Sequence, residues 1–349
     1  MKIDISKNPE FDNHELVSWF EDSNLGLRGF IVVHNTNRGP AVGGTRYWIY
    51  KNENEAITDA LRLSRSMTYK CALAGVPFGG GKGVIIADSK TVKTRQFLQS
   101  YAKKVSLLGG NFYTGEDVGL TLEDINCMAS SSKFIIGSNN KAGDPSPWAA
   151  LSVFYAMKAA LYQIYKNCDF SSKKIAIKGL GKVGMELARL LHKEGAELFV
   201  SDIDKLKINE IKSWGNRINV ASVKNIHKLP VDIYAPCAMG GDLTERKINE
   251  LDCKIICGSA NNQLERTENA NILYRRNILY IPDYLANSGG LINVVAELET
   301  EGYSKDKVFT RVQKIEETTR KVLVMSVEMQ CSPNEVVNKL AQDLFIKNN

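Results

Sequence analysis

The chain has 349 residues, 44% of them hydrophobic and 24% charged, a globular composition that excludes a collagen-like fibre, a disordered tail and a disulfide-stapled mini-protein. At roughly 150 residues per domain the length suggests two domains. Lys and Arg number 45 against 39 Asp and Glu, giving +6, a mild excess that suits an anionic partner. The basic residues are interspersed with acids and form no block, so a small anionic ligand is expected and no nucleic acid.

The opening MKIDISKNPEFDNHELVSWF has no apolar stretch behind a basic start, and no apolar run reaches the length of about 18 residues that a span requires. We therefore expect a cytoplasmic protein without signal peptide or membrane contact. The seven cysteines (Cys71, Cys127, Cys168, Cys237, Cys253, Cys257, Cys331) are odd in number, widely spaced and without a Cys-x-x-Cys, as expected of reduced thiols. Four scattered histidines (His14, His34, His192, His227) offer no metal site.

In chain order, residues 29–35 (GFIVVHN) read as a strand and 39–44 (GPAVGG) as a Gly-rich turn. A helix is expected over roughly 53–67, where Ala56, Ala60, Leu63 and Met67 share one face. Residues 78–83 (FGGGKG) form a second Gly-rich stretch running into a strand at 84–87. Residues 92–108 read as an amphipathic helix and 111–119 (NFYTGEDVG) as strand into loop. The polar 139–147 (NNKAGDPSP) is the expected domain boundary, and Pro147 suits the first turn of a following helix. From 173 onward apolar strands alternate with helices: KKIAIKGLG, a helix ending at Gly195, then ELFVSDID, VDIYAPCA, KIICGSA and ILYIPD. That alternation implies an α/β fold with a mostly parallel sheet. Residues 306–346 read as polar terminal helices.

Gly179-Leu180-Gly181-Lys182-Val183-Gly184 is a G-x-G-x-x-G between a strand and a helix, with Asp202 18 residues after Gly184. Gly179 suits the tight turn, Gly181 close approach of pyrophosphate and Gly184 close helix–strand packing, with the helix N-terminus toward the phosphates. Asp202 suits the ribose hydroxyls and disfavours a 2′-phosphate, pointing to NAD. FAD or another nucleotide is the lesser alternative. Lys70, Lys82 and Asp117 form a second constellation. Three glycines precede Lys82, leaving room for a ligand to approach it. A P-loop is excluded, since Val76 and Gly83 stand where Gly and Ser or Thr are needed.

At these residues the chain resembles the Glu/Leu/Phe/Val amino-acid dehydrogenase family, most nearly its leucine branch. The matching stretches are GPAVGGTR (39–46), MTYKCALAGVPFGGGKGVI (67–85), YTGEDVG (113–119), GLGKVG (179–184), APCAMGG (235–241), GSANNQL (258–264) and PDYLANSGGLIN (282–293). The resemblance covers about residues 12–300. It implies a catalytic domain over 1–145 and a Rossmann-type NAD domain over 146–309 around a cleft, with helices of about 310–349 packing back on the first domain. It implies that Lys70 binds the substrate α-carboxylate, Lys82 is the catalytic lysine and Asp117 carries protons to and from the amino nitrogen. Val42, Gly43, Gly44, Met67, Gly115, Asn262, Leu291 and Val294 would complete the substrate site. Ala238 and Asn261 would join the glycine turn at the cofactor. It also implies a homo-oligomer, octamer or dimer.

The implied reaction moves hydride from Cα to nicotinamide, after which water attacks the iminium and ammonium leaves. A lysine base near neutral pH must titrate below its free value of about 10.4. The glutamate branch places a lysine where this chain has Val42, and an apolar residue gives no partner to a buried distal carboxylate. An apolar substrate is therefore expected, with leucine, isoleucine or valine favoured. Thr45, Tyr47 and Gly115 depart from the leucine-type pattern (Cys, Met, Ala), and a Gly115 pocket enlarged relative to alanine keeps phenylalanine and tryptophan open. A non-catalytic NAD-binding sensor is the rival from another class. A 2-hydroxy-acid dehydrogenase is a second, disfavoured by the sparse histidines.

Overall fold

The computed structural model describes residues 4–88, 92–138 and 142–346, so the first three residues of the expected boundary, 139–141, lie outside the described residues. The chain packs as two units, each treated by itself. The first comprises Met1–Asp144, Val294–Tyr303 and Ala341–Asn349; the second comprises Pro145–Asn293 and Ser304–Leu340.

The first unit is built on β1 (Leu16–Asp22), β2 (Leu27–Asn35), β3 (Ala41–Val42), β4 (Thr45–Ile49), α1 (Glu53–Leu73), β5 (Gly79–Ala87), α2 (Arg95–Ser106), β6 (Phe112–Tyr113) and α3 (Leu122–Ala129). Its mixed sheet runs β1-β2-β5-β3-β6, with β4 also on β5. β1–β2 and β2–β5 are antiparallel, whereas β3 and β4 lie parallel to β5. β2 reads as a continuous apolar run because both faces of the sheet are covered. Phe30 and Val32 pack with Ala56, Ile57, Ala60 and Leu61 of α1. Ile31 and Val33 point the other way, to Phe97 and Tyr101 of α2 and Ile125 of α3.

Two expectations change here. The Gly-rich stretch before Lys82 is strand from its first glycine, because α1 crosses it at very close range. A Cβ on Gly80 would lie 2.0 Å from the Thr68 backbone nitrogen and 2.6 Å from the Ser64 carbonyl oxygen. Gly80 admits the helix, while a Cβ on Gly79 would meet the Asn35 carbonyl oxygen at 1.9 Å and one on Gly81 the Phe112 ring at 2.7 Å, so the room expected there for a ligand is taken by packing. α1 itself runs past Met67 to Leu73, since Thr68, Tyr69, Cys71 and Ala72 continue its buried face. Asn52 caps its start by accepting the Glu55 N–H at 2.9 Å.

The second unit begins with α4 (Ser146–Tyr165), which has Pro147 in its first turn. There follow β7 (Lys174–Lys178), α5 (Lys182–Lys193), β8 (Glu197–Ser201), α6 (Lys205–Lys212), β9 (Ile218–Val220), β10 (Val231–Pro236), α7 (Glu245–Glu250), β11 (Cys253–Ile256), α8 (Asn269–Arg275), β12 (Leu279–Tyr280), α9 (Asp283–Ala286) and α10 (Gly289–Val295), whose last two residues fall in the first unit. The sheet order is β12-β11-β10-β7-β8-β9, all parallel. This is the doubly wound Rossmann order, and its switch point falls between β7 and β10.

The terminal helices differ from expectation. Most of α11 (Lys305–Glu328) and α12 (Pro333–Phe345) belongs to the second unit. α11 lies along α4: Arg320 donates to the Cys168 thiol just beyond that helix, and Gln313 donates to Tyr155. From Ala341 onward the chain belongs to the first unit, where Gln342 donates to the Tyr69 hydroxyl and Asn37 to the Phe345 carbonyl. Among the described residues no helix is long and apolar enough to cross a membrane.

Candidate active site

In the first unit, Lys82 sits within β5 and is 4% exposed. Its Nζ lies 3.0 Å from Oδ2 of Asp117, in the loop after β6. Arg46 of β4 donates from Nε to the same Oδ2 at 2.9 Å and from Nη1 to Asp59 Oδ2 at 2.9 Å. The Tyr50 hydroxyl donates to that Asp59 oxygen at 2.6 Å. The result is a row of alternating charge, Lys82–Asp117–Arg46–Asp59, closed by Tyr50. Burial drives the Lys82 ammonium below its ordinary value; Asp117 opposes the shift and Arg46 adds to it. Burial would raise the Asp117 carboxyl, but Lys82 and Arg46 outweigh it and hold it below the usual carboxylate value.

Gly43 and Gly44 break the strand between β3 and β4 close to this row. A Cβ on Gly44 would stand 2.8 Å from Asp117 Cβ, and one on Gly43 would stand 3.2 Å from Met67 Cγ. Val42 beside them is fully buried. Lys70 is half-buried in the last turn of α1. The structure thus gathers Val42, Gly43, Gly44, Met67, Lys82, Gly115 and Asp117 within one unit. Val294 belongs there too, 3.5 Å from where a Gly137 Cβ would sit. Leu291, Asn261 and Asn262 belong to the second unit.

The three departures from the leucine-type pattern are packing features. The buried Thr45 hydroxyl bonds Tyr101 at 2.6 Å and Thr114 at 2.7 Å. Tyr47 packs edge-on against Phe97. A Cβ at Gly115 would meet the Ile136 carbonyl oxygen at 2.7 Å, so the extra pocket volume expected there is already filled.

In the second unit the glycine turn is preformed. Gly179 has φ +101, in the left-handed region, and packs against Ala238 of the loop after β10. A Cβ on Gly184 would fall 2.1 Å from the Gly179 carbonyl oxygen, whereas one on Gly181 would meet nothing within 4 Å. Gly181 is also the N-cap of α5, which no side chain caps, so the first-turn N–H groups of Lys182, Val183 and Gly184 suit an anion. Asp202 Oδ2 accepts the Leu180 N–H at 2.6 Å and Oδ1 the Asp204 N–H at 2.8 Å, fixing a carboxylate beside the turn. These residues fit a dinucleotide pyrophosphate and ribose. Asn262 has φ +52 and donates its N–H to Asp283 Oδ2 at 2.9 Å, while Asn261 Oδ1 accepts from Asn287 Nδ2 at 2.7 Å.

Three groups had no signal in the sequence pattern. Arg46, Tyr50 and Asp59 lie within 13 residues of one another, but nothing local marks them as partners of Asp117. Asp242 binds Lys178 at 2.5 Å, Tyr234 at 2.7 Å and Lys247, tying the loop that carries Ala238 to the ends of β7 and β10. Glu297 accepts the N–H groups of Gly137 and Ala142 at 3.0 and 2.9 Å.

A Rossmann sheet with an open, anion-ready first turn, joined in one chain to a buried lysine paired with an aspartate, defines a dinucleotide-dependent oxidoreductase. Residues 17–137 match the family model of the Glu/Leu/Phe/Val dehydrogenase dimerisation domain, and residues 146–343 match that of glutamate/leucine/phenylalanine/valine dehydrogenase. The chain belongs to this family and is an NAD-dependent amino-acid dehydrogenase. It is similar to the L-tryptophan dehydrogenase of Nostoc punctiforme, 41% identical over 331 residues covering 95% of this chain and 93% of the relative. The crystal structure of that enzyme superposes with a TM-score of 0.82 over 95% of this chain and 96% of the other. The phenylalanine dehydrogenase of Lysinibacillus sphaericus is 42% identical over 87% of this chain and 81% of its own length. The leucine dehydrogenase of Bacillus cereus is 37% identical over 98% and 94%.

Proposed function

We propose that the protein catalyses the reversible oxidative deamination of an apolar L-amino acid to its 2-oxo acid and ammonium, acting as a homo-oligomer. The observation that carries this reading is the buried Lys82 held 3.0 Å from Asp117. When bound, NAD supplies the hydride acceptor. Lys70 holds the substrate α-carboxylate as a point charge. Lys82, its proton loosened by burial, takes a proton from the water that attacks the iminium carbon. Asp117 moves protons to and from the departing nitrogen. Gly179, Leu180, Gly181, Lys182, Val183 and Gly184 hold the pyrophosphate, Asp202 the ribose, Ala238 and Asn261 the rest of the cofactor, and Asn262 the substrate.

Val42, Leu291 and Val294 offer no charge to a distal carboxylate, which supports an apolar side chain, with leucine, isoleucine or valine first. A second reading, phenylalanine or tryptophan, is favoured by the 41% and 42% identities to tryptophan and phenylalanine dehydrogenases against 37% to a leucine dehydrogenase. The test is absorbance at the NADH band with NAD and a panel of Leu, Ile, Val, Phe, Trp and Glu. Turnover of Glu alone, or silence across the panel, overturns the proposal. Lys82→Ala is expected to abolish turnover and leave NADH binding intact; near-wild-type turnover would remove Lys82 from the mechanism.

A further inference from the structure

Both ionic contacts of Asp117 converge on Oδ2, from Lys82 Nζ at 3.0 Å and Arg46 Nε at 2.9 Å. Among the described residues no hydrogen bond or ion pair reaches Oδ1. A carboxylate held by one lysine alone could turn about its own side-chain torsions, because an ammonium is a point charge without directional demand. A guanidinium is planar and fixes the direction of each N–H. Arg46 is itself held at its far edge by Asp59, and Asp59 by Tyr50. The row ties the loop after β6 to β5 through Lys82 and to β4 through Arg46, with Asp59 of α1 behind Arg46, so three separately anchored segments fix one oxygen atom.

We propose that Arg46, backed by Asp59 and Tyr50, is a positioning residue that pins Asp117 by Oδ2 and thereby presents Oδ1 to the substrate nitrogen. The inference rests on the amino-acid dehydrogenase reading with Asp117 as proton carrier. It divides the carboxylate's work: Oδ2 serves structure and charge balance, and Oδ1 serves proton transfer. Arg46 also shares the Asp117 charge with Lys82. The groups facing Lys82 are Asp117 from its loop, Arg46 from β4 and Asp59 from α1, with Tyr50 behind Asp59. Removing Arg46 leaves both carboxylates to favour the protonated lysine.

The test compares Arg46→Gln and Arg46→Lys with wild type in the oxidative direction. Arg46→Gln is expected to lower kcat by about 100-fold, with NADH affinity unchanged, and to move the rising limb of kcat/KM against pH upward by about one unit. Arg46→Lys restores the charge but not both arms, so the limb returns toward wild type while kcat recovers by only about tenfold. A folded Arg46→Gln enzyme with kcat within about threefold of wild type and an unmoved limb overturns the proposal. If Arg46→Gln does not fold, Tyr50→Phe decides, since it loosens the outer end without changing charge. A several-fold loss of kcat with unchanged NADH affinity supports positioning, and wild-type kcat overturns it. Failure of this inference is separable from failure of the functional reading. In the first case wild type turns over an amino acid and Lys82→Ala does not; in the second, wild type is silent on the panel.

Discussion

Two glycines of one motif make opposite demands, and substituting each by alanine separates a ligand's space from the fold's. Gly181 has φ −64 and ψ −174, extended backbone that alanine adopts freely, and its Cβ would meet no atom within 4 Å. Gly181→Ala therefore leaves the apoprotein intact and raises its stability by up to about 1 kcal/mol, by restricting the unfolded chain. The new methyl occupies the space through which a pyrophosphate reaches the α5 N-terminus. NADH affinity should fall at least about tenfold, equivalent to about 1.4 kcal/mol. At Gly184 the Cβ would stand 2.1 Å from the Gly179 carbonyl oxygen and 3.3 Å from Cys237 Cβ. The nearer neighbour is backbone that cannot step aside, so Gly184→Ala should lie at the upper end of overpacking, about 3 kcal/mol. For a cooperative unit of 150–250 residues that lowers Tm by about 6–12 °C. Thermal melts of the apo variants and fluorescence titration with NADH read both quantities. Wild-type NADH affinity in Gly181→Ala, or a wild-type Tm in Gly184→Ala, refutes the division of roles.

Gly80→Ala should destabilise the first unit by about 3 kcal/mol and depress activity, because its Cβ meets the Thr68 backbone and separates the helix of Lys70 from the strand of Lys82; a urea midpoint equal to wild type contradicts it. Burial, reinforced by His14, pushes the His34 imidazole down to about 4 from its ordinary 6.5, despite Asp12 at 3.6 Å. The unfolded chain then binds more protons than the folded one between those values. Stability is fully present above pH 6.5 and falls by about 3 kcal/mol as pH drops toward 4. Urea titrations across that range should show the slope in wild type and a flatter one in His34→Asn; equal slopes count against it.

The Rossmann unit was legible because its signals are local. A strand, three glycines and an acid follow one another within a short stretch, and the space is open at Gly181 and closed at Gly184. The β5 glycines misled because glycine usually punctuates a chain, whereas here each admits a close neighbour from elsewhere: Asn35 at Gly79, Ser64 and Thr68 of α1 at Gly80, and Phe112 at Gly81. What Thr45, Tyr47 and Gly115 pack against has no local signature, since their neighbours Tyr101, Phe97 and Ile136 come from other segments. Arg46 escaped for the same reason: Asp117 lies 71 residues away, and only the folded sheet makes them neighbours.

The chain crosses from one unit to the other at 144/145, 293/294, 303/304 and 340/341. The gene therefore cannot be divided at a single point into two self-sufficient modules. A fragment ending at Asp144 keeps Lys82, Asp117 and Arg46 but lacks Glu297, whose carboxylate holds Gly137 and Ala142. It also lacks Phe345, whose ring covers His34 and Tyr69. Domain-swap chimaeras between relatives of different substrate preference must exchange all three stretches of the first unit, or both of the second, or they will pair one parent's catalytic sheet with the other parent's closing segments.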